Sequence, residues 1–348
     1  MMKATAKRWL NFAFLFFTLG VVLYLGLNGN DMNALWSALR TFAPASLALC
    51  LLCWVVNYLA DALSIHYFLR RQGYPIRYRS SLYISLVGIY YCNVTPGATG
   101  GQPMQIYRLK QYGVPIGISG SAMTIRFFCF QSMLLVVGGL LWLLQPAFVY
   151  EQIGTAHLLI WLGYIVNFFS IGMLLLMAVN RRAIRFVIAV CIRVGTKLRI
   201  CKDPEKSTQK WDAHVASFQG SVELIRHHPR ELLVQCLIAT VQLLAQMSVV
   251  VCIYHAFGLT QASDLSLLTM ATLLYISASY TPLPGASGAQ EGGFALYFKY
   301  LFPDATLFVA LMIWRFFTYY FPVLLGVIMT LFENVHGLRK AKDAPSDI

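Results

Sequence analysis

The stretch Pro96-Gly97-Ala98-Thr99-Gly100-Gly101-Gln102 decides the fold, because it returns as Pro284-Gly285-Ala286-Ser287-Gly288-Ala289-Gln290. Five of the seven residues are identical, and the two exchanges keep small side chains. Arg126-Phe127-Phe128 begins 30 residues after Pro96, and Arg315-Phe316-Phe317 begins 31 after Pro284. Upstream, Pro44 and Leu232 open apolar stretches that each start 52 residues before their motif. Three features in register mark an internal duplication, with halves at about 44–144 and 231–332.

The surrounding chain sets the solvent. Of 348 residues, 58% are hydrophobic and 12% charged, about half the charge of an average soluble domain. Mean hydropathy is +0.63. A soluble enzyme, a disordered chain and a secreted disulfide scaffold are excluded. Six stretches reach the ~20 apolar residues that a membrane span needs: 9–27, 44–69, 117–144, 158–179, 232–257 and 305–332. The first follows a basic segment and is expected to stay as an anchor rather than be cleaved. One transmembrane domain is expected over 1–342, with 343–348 a short tail.

The net charge of +13 falls on particular loops. Lys3, Lys7 and Arg8 precede the first span, Arg70 to Arg79 follow the second, and Arg108 and Lys110 precede the third. A basic loop covers 181–230, and Arg339, Lys340 and Lys342 end the chain. The connections at 28–43, 145–156 and 258–265 carry Asp31, Glu151 and Asp264, with Arg40 their one basic residue. Basic loops mark the cytoplasm, so a multi-pass cell-membrane protein with both termini cytoplasmic is expected, and nucleic acid is not an expected partner. Within 181–210 a basic interfacial helix and a solvated loop fit equally.

Residues 80–107 then start and end at the cytoplasmic face, and 265–300 start and end outside. Neither is a plain span. Each reads as a re-entrant helical hairpin whose break lies where protein or water satisfies the backbone. The fold expected is all-α, with about six transmembrane helices plus two re-entrant hairpins arranged as inverted repeats, a plan that places a binding site at the repeat interface near the midplane.

The motif residues suggest what such a site holds. Proline stops the entering helix, and glycine permits left-handed turns and close approach. The helix after each break presents N–H groups of positive dipole character, with Gln102 and Gln290 adding amide donors. Arg126 and Arg315 lie about ten residues into their spans, about 15 Å deep, where an arginine costs at least ~2.5–3.5 kcal/mol. Two roles are open for them: a structural pair with Asp61 and Glu291, or capture of a phosphate or carboxylate that those acids balance when the site is empty. One of the acids could instead carry a proton. Asn57 shares a helix face with Asp61, while Gln235, Gln242 and Gln246 are assigned to packing between helices. Cys50-x-x-Cys53 lies in an apolar run and reads as packing. The histidines form no metal constellation, no nucleotide or nucleophile motif occurs, and no catalytic residue, metal or cofactor is expected.

The segments Asn93–Leu109, NVTPGATGGQPMQIYRL, and Tyr280–Phe298, YTPLPGASGAQEGGFALYF, resemble the two signature regions of the lysylphosphatidylglycerol synthase transmembrane-region family, also called flippase-like. The resemblance implies a membrane region that moves an aminoacylated lipid across the bilayer. Its site residues would be Pro96, Gly97, Gly100, Gly101 and Gln102, with Pro284, Gly285, Gly288 and Glu291. Gln102 stands where some members carry an acidic residue, so the headgroup preference does not carry over. The lysyl-transferring soluble domain of larger members has no counterpart before Ile348, and lysyltransferase activity would rest on the family label alone. The function expected is translocation of an anionic or aminoacylated phospholipid or a lipid-linked phosphate. The partner is membrane lipid, and a homo-oligomer is compatible. Rivals are a soluble-anion transporter and a non-transporting membrane partner.

Overall fold

The computed structural model describes residues 20, 32–154, 157–180, 229–279 and 281–329. The first expected span apart from residue 20, the basic loop up to residue 228, the tail and both termini lie outside the described residues. Among those described, no strand occurs, and five helices are long and apolar enough to cross a membrane. The protein is all-α and polytopic.

In order, the helices are α1 (Met32–Thr41), α2 (Ser46–Arg71), α3 (Tyr78–Val94), α4 (Gly101–Gln111), α5 (Ile116–Leu144), α6 (Pro146–Ile153), α7 (His157–Val179), α8 (Pro229–Ala256), α9 (Asp264–Ala278), α10 (Ala289–Phe298) and α11 (Asp304–Arg315). The last continues through a π-helical turn at Phe316–Tyr320 as one apolar stretch to Met329. Two connections assigned to loops from the sequence, 28–43 and 145–156, contain α1 and α6 instead. Short amphipathic segments of that kind fall below the length that an apolar-run criterion detects.

α2 and α8, the first helices of the two repeats, pack along their whole length and run antiparallel. The Ala43 N–H donates to the Ala256 carbonyl at 2.8 Å at one end. The Ser64 hydroxyl donates to Gln235 Oε1 at 2.6 Å further along, and Arg71 Nε meets Glu231 at 3.3 Å at the other end. Gln235 therefore has the cross-helix packing role read from the sequence, since a buried amide in an apolar bundle needs a partner.

Each motif joins two short helices that pack on each other as a hairpin, α3 with α4 and α9 with α10. The first opens beside the C-terminal half of α2, where the Tyr78 hydroxyl donates to the Leu59 carbonyl at 2.7 Å and its ring meets His66 edge-on. The second opens beside the C-terminus of α8, where the Tyr254 hydroxyl accepts from the Ala262 N–H at 3.0 Å and its ring packs on Phe302. Because α2 and α8 are antiparallel, the hairpins open toward opposite ends of the bundle. Their tips meet between them.

Two apolar clusters hold this frame. The larger, with Leu243, Met247, Leu267, Leu274, Phe294 and Trp314, joins α8 to the second hairpin and α11. The smaller, with Ile65, Phe68, Ile84, Leu109 and Met123, joins α2 to the first hairpin and α5. Outward faces stay apolar, α7 exposing Ile165, Phe168 and Phe169. A hydrophobic exterior of this extent fits lipid as the surrounding solvent.

Candidate functional site: a cavity where two Pro-Gly turns meet

The two turns adopt one backbone conformation. Gly97 has φ 59° and ψ 25°, and Gly285 has φ 60° and ψ 20°. Ala98 and Ala286 follow at φ 55° and 51°, a left-handed placement that alanine rarely adopts. Each turn is pinned the same way: Thr99 Oγ1 donates to the Pro96 carbonyl at 3.0 Å, and Ser287 Oγ to the Pro284 carbonyl at 2.9 Å. The Thr-for-Ser exchange between the repeats thus keeps a bond. The tips are joined directly, the Gly97 N–H donating to the Pro282 carbonyl at 3.0 Å. At Gly285 the packing also demands glycine, since a Cβ there would stand 2.1 Å from Tyr319 Cε2.

Around the tips lies a cavity of about 610 Å³. Both repeats contribute to its wall: Asn57 and Asp61 from α2, Gln102 from α4, Arg126 from α5, Gln242 and Gln246 from α8, Gln290 from α10 and Arg315 from α11. Of the residues singled out in the sequence, Asp61, Gly97, Gln102, Arg126, Gly285, Gln290 and Arg315 line it. Pro96, Gly100, Gly101, Pro284, Gly288 and Glu291 do not, and they shape the tips behind the wall. Gly101, for example, lets α4 approach α3 so closely that a Cβ would stand 2.7 Å from the Gly88 carbonyl oxygen.

Both arginines pair with the acids named from the sequence. Arg126 Nη1 lies 2.6 and 2.5 Å from the two Asp61 oxygens, and Nη2 donates to Gln105 Oε1 at 2.9 Å. Asp61 also accepts from Ser85 Oγ and, at 3.2 Å, from Gln242 Nε2. Arg315 donates through Nε to Glu291 Oε1 at 2.7 Å and through Nη1 and Nη2 to the Gly285 carbonyl at 3.2 and 3.3 Å. Its Nη2 also reaches Ser287 Oγ at 3.3 Å, and the guanidinium stacks 4.8 Å over the Tyr319 ring. The two cations therefore differ. The Arg315 side chain is 4% exposed with every nitrogen engaged, whereas that of Arg126 is 15% exposed. Both line the cavity, but Arg315 braces the second turn and Arg126 is the more exposed cation.

At each helix N-terminus one backbone donor is already taken. The Gly288 N–H donates to Glu291 Oε2 at 2.7 Å, and the Gly100 N–H to Thr95 Oγ1 at 2.8 Å. A carboxylate in the first turn of α10 and a hydroxyl just after the end of α3 take these two donors.

The family profile described as "Lysylphosphatidylglycerol synthase TM region" matches residues 9–326. The chain belongs to that family. It is also 24% identical over 302 residues to a "UPF0104 membrane protein" of Archaeoglobus fulgidus, an alignment covering 84% of this chain and 88% of the relative. The family match takes in both turns, both arginine pairs and every cavity-lining residue. In this member of the lysylphosphatidylglycerol synthase membrane-region family, sequence reasoning missed Ser85, Gln105 and Tyr319 around the arginines. It also left Gln242 and Gln246 to packing, although both line the cavity. A signal existed for Gln105, which lies one helical turn after Gln102 and one turn before Leu109, a fully buried residue. The π-helical turn directly after Arg315 has no sequence signal, although such turns recur at functional sites.

Proposed function

We propose that the protein translocates an anionic or aminoacylated phospholipid, or a lipid-linked phosphate, between the leaflets of the cell membrane, with both hairpins re-entrant and both termini cytoplasmic. One observation carries this reading: the cavity forms where oppositely opening hairpins touch, and Arg126 faces into it. A ligand that changes leaflets needs a polar station within a hydrocarbon core about 30 Å thick. Two inverted repeats meeting at broken helices supply one. A volume of about 610 Å³ lies within the ~300–1,000 Å³ range of small-ligand pockets, enough for a headgroup while the acyl chains stay in the bilayer.

The charges fit a site that cycles. Empty, each guanidinium is neutralised by its own carboxylate, which keeps a buried cation tolerable. An arriving phosphate competes for the Nη groups of Arg126, which Asp61 and Gln105 hold, while Arg315 keeps the second turn folded. The family's description names lysylphosphatidylglycerol, and this supports a phosphate-bearing lipid as ligand without fixing its headgroup. Asp61 and Glu291 act as counter-charges.

The test is a leaflet-resolved assay in proteoliposomes, with a fluorescent phospholipid quenched from outside by a membrane-impermeant reductant. Wild type is expected to expose inner-leaflet label, and Arg126→Gln to lose that activity while inserting normally. Equal rates in wild type, variant and protein-free vesicles would overturn the reading. Inhibition by free phosphate, with no lipid moved, would assign the cavity to a soluble anion.

A further inference from the structure

The cavity holds more hydrogen-bonding capacity than its ion pairs use. Five carboxamide side chains face the same space: Asn57, Asn93, Gln102, Gln246 and Gln290. Two further amides are committed elsewhere, Gln131 to Asn167 and Gln242 to Asp61. Asn57 and Gln290 are each 8% exposed, and their side-chain carbonyl oxygens have no hydrogen-bond partner. Leaving a buried acceptor unpaired costs about 1–3 kcal/mol, so two such oxygens in residues that line one cavity favour turning these amides toward donors that a ligand brings. One comes from each repeat. Phe127, Phe130, Tyr275 and Trp314 also line the cavity.

We infer that the cavity recognises a hydroxyl-rich headgroup, a polyol or sugar, through Asn57 and Gln290. This rests on reading the cavity as a headgroup site and narrows its substrate class. The chemistry follows from the residue types. A carboxamide both donates and accepts, and so does a hydroxyl, so amides match an array of hydroxyls without fixing any charge. Aromatic faces accept the C–H face of a sugar ring by dispersion and polarity. An ammonium headgroup would ask for unpaired carboxylates, and both acids at the site are already held by arginine. Sites built to bond a hydroxyl discriminate strongly against analogues that lack it, because the protein's buried groups are then left unpaired.

The test uses full-length protein in phosphatidylcholine vesicles carrying trace fluorescent phosphatidylinositol, glucosyl diacylglycerol, phosphatidic acid or phosphatidylethanolamine. Crossing is measured by reductant quenching, and binding independently by native mass spectrometry of the detergent-solubilised protein. The two hydroxyl-rich lipids are expected to cross and to bind at least tenfold better than phosphatidylethanolamine. Asn57→Leu and Gln290→Met, near-isosteric changes that remove the lone oxygens without creating unpaired groups, are expected each to lower the ratio of hydroxyl-rich lipid to phosphatidic acid crossing several-fold. Equal handling of phosphatidylinositol and phosphatidylethanolamine by wild type, or a preference untouched in both variants, would overturn the inference. It would do so even if Arg126→Gln still abolished crossing, in which case translocation stands. Selective binding without crossing supports the headgroup chemistry and sinks translocation. Competition by free methyl glucoside would support the same chemistry with a soluble source.

Discussion

Asp61→Asn removes the charge that Arg126 faces and leaves a side chain of the same size in its place. The native Asp61 side chain is 5% exposed, and its oxygens take Arg126 Nη1 at 2.5 and 2.6 Å together with donors from Ser85 and Gln242. Removing one partner of a buried ion pair costs about 3–5 kcal/mol, mostly because the other charge is left uncompensated. Arg126 would keep its bond to Gln105 at 2.9 Å and its opening to the cavity, which sets the expected cost at the lower end. About 3 kcal/mol is roughly a hundredfold in the folding equilibrium. Adding Arg126→Gln removes the stranded cation, and the double variant is expected within about 1 kcal/mol of wild type. The assay is a double-mutant cycle, unfolding four proteins in mixed micelles and following tryptophan fluorescence. If the single costs simply add, within about 0.5 kcal/mol, the pair is not coupled and the reasoning fails. Transport should stay absent from the stable double variant, which separates the pair's structural part from its functional one.

Other consequences are as specific. Gly285→Ala drives a Cβ to 2.1 Å from the Tyr319 ring in a turn at φ +60°, whereas at Gly97, φ +59°, the nearest contact is an ordinary 3.8 Å. Gly285→Ala should therefore cost about 1–3 kcal/mol more in thermal stability than Gly97→Ala, and equal losses would contradict the packing described for Tyr319. Cys53 and Cys252 bring their sulfurs within 3.8 Å across α2 and α8. A membrane-permeant oxidant should link them, and peptide mapping that finds no such link would contradict the antiparallel register. In a cysteine-free background, Gln111→Cys at the end of α4 and Lys299→Cys after α10 should react with impermeant maleimide from opposite sides of sealed vesicles. Labelling of both from one side would rule out oppositely opening hairpins in the membrane.

Much of the frame was legible because it rests on composition and repetition. Apolar runs located the five described spans within a few residues, and the repeated heptad located two turns that proved to share one backbone geometry. The pairing of Arg126 with Asp61 and of Arg315 with Glu291 follows from the cost of a lone charge at depth. What was hidden depends on three-dimensional packing. Arg315 and Arg126 sit at matching places in the repeats and both line the cavity, yet Arg315 is held by Tyr319 and Gly285 while Arg126 is the more exposed, a difference that spacing cannot express. Gln102 and Gln105 are the same residue type one helical turn apart, but only Gln105 reaches Arg126 while Gln102 lines the cavity. Helices α1 and α6 were read as loops because neither is long enough to span.

The central claim is that a lipid headgroup occupies the cavity between the two Pro-Gly turns, at membrane depth, against Arg126. A single-particle reconstruction of the full-length protein in nanodiscs of native lipid tests it most directly. The expected map has headgroup density within hydrogen-bonding distance of Arg126, the hairpin tips near the middle of the disc and acyl chains leading outward between helices. Tips at the disc surface, or a cavity filled by water alone in a lipid-replete sample, would contradict the account.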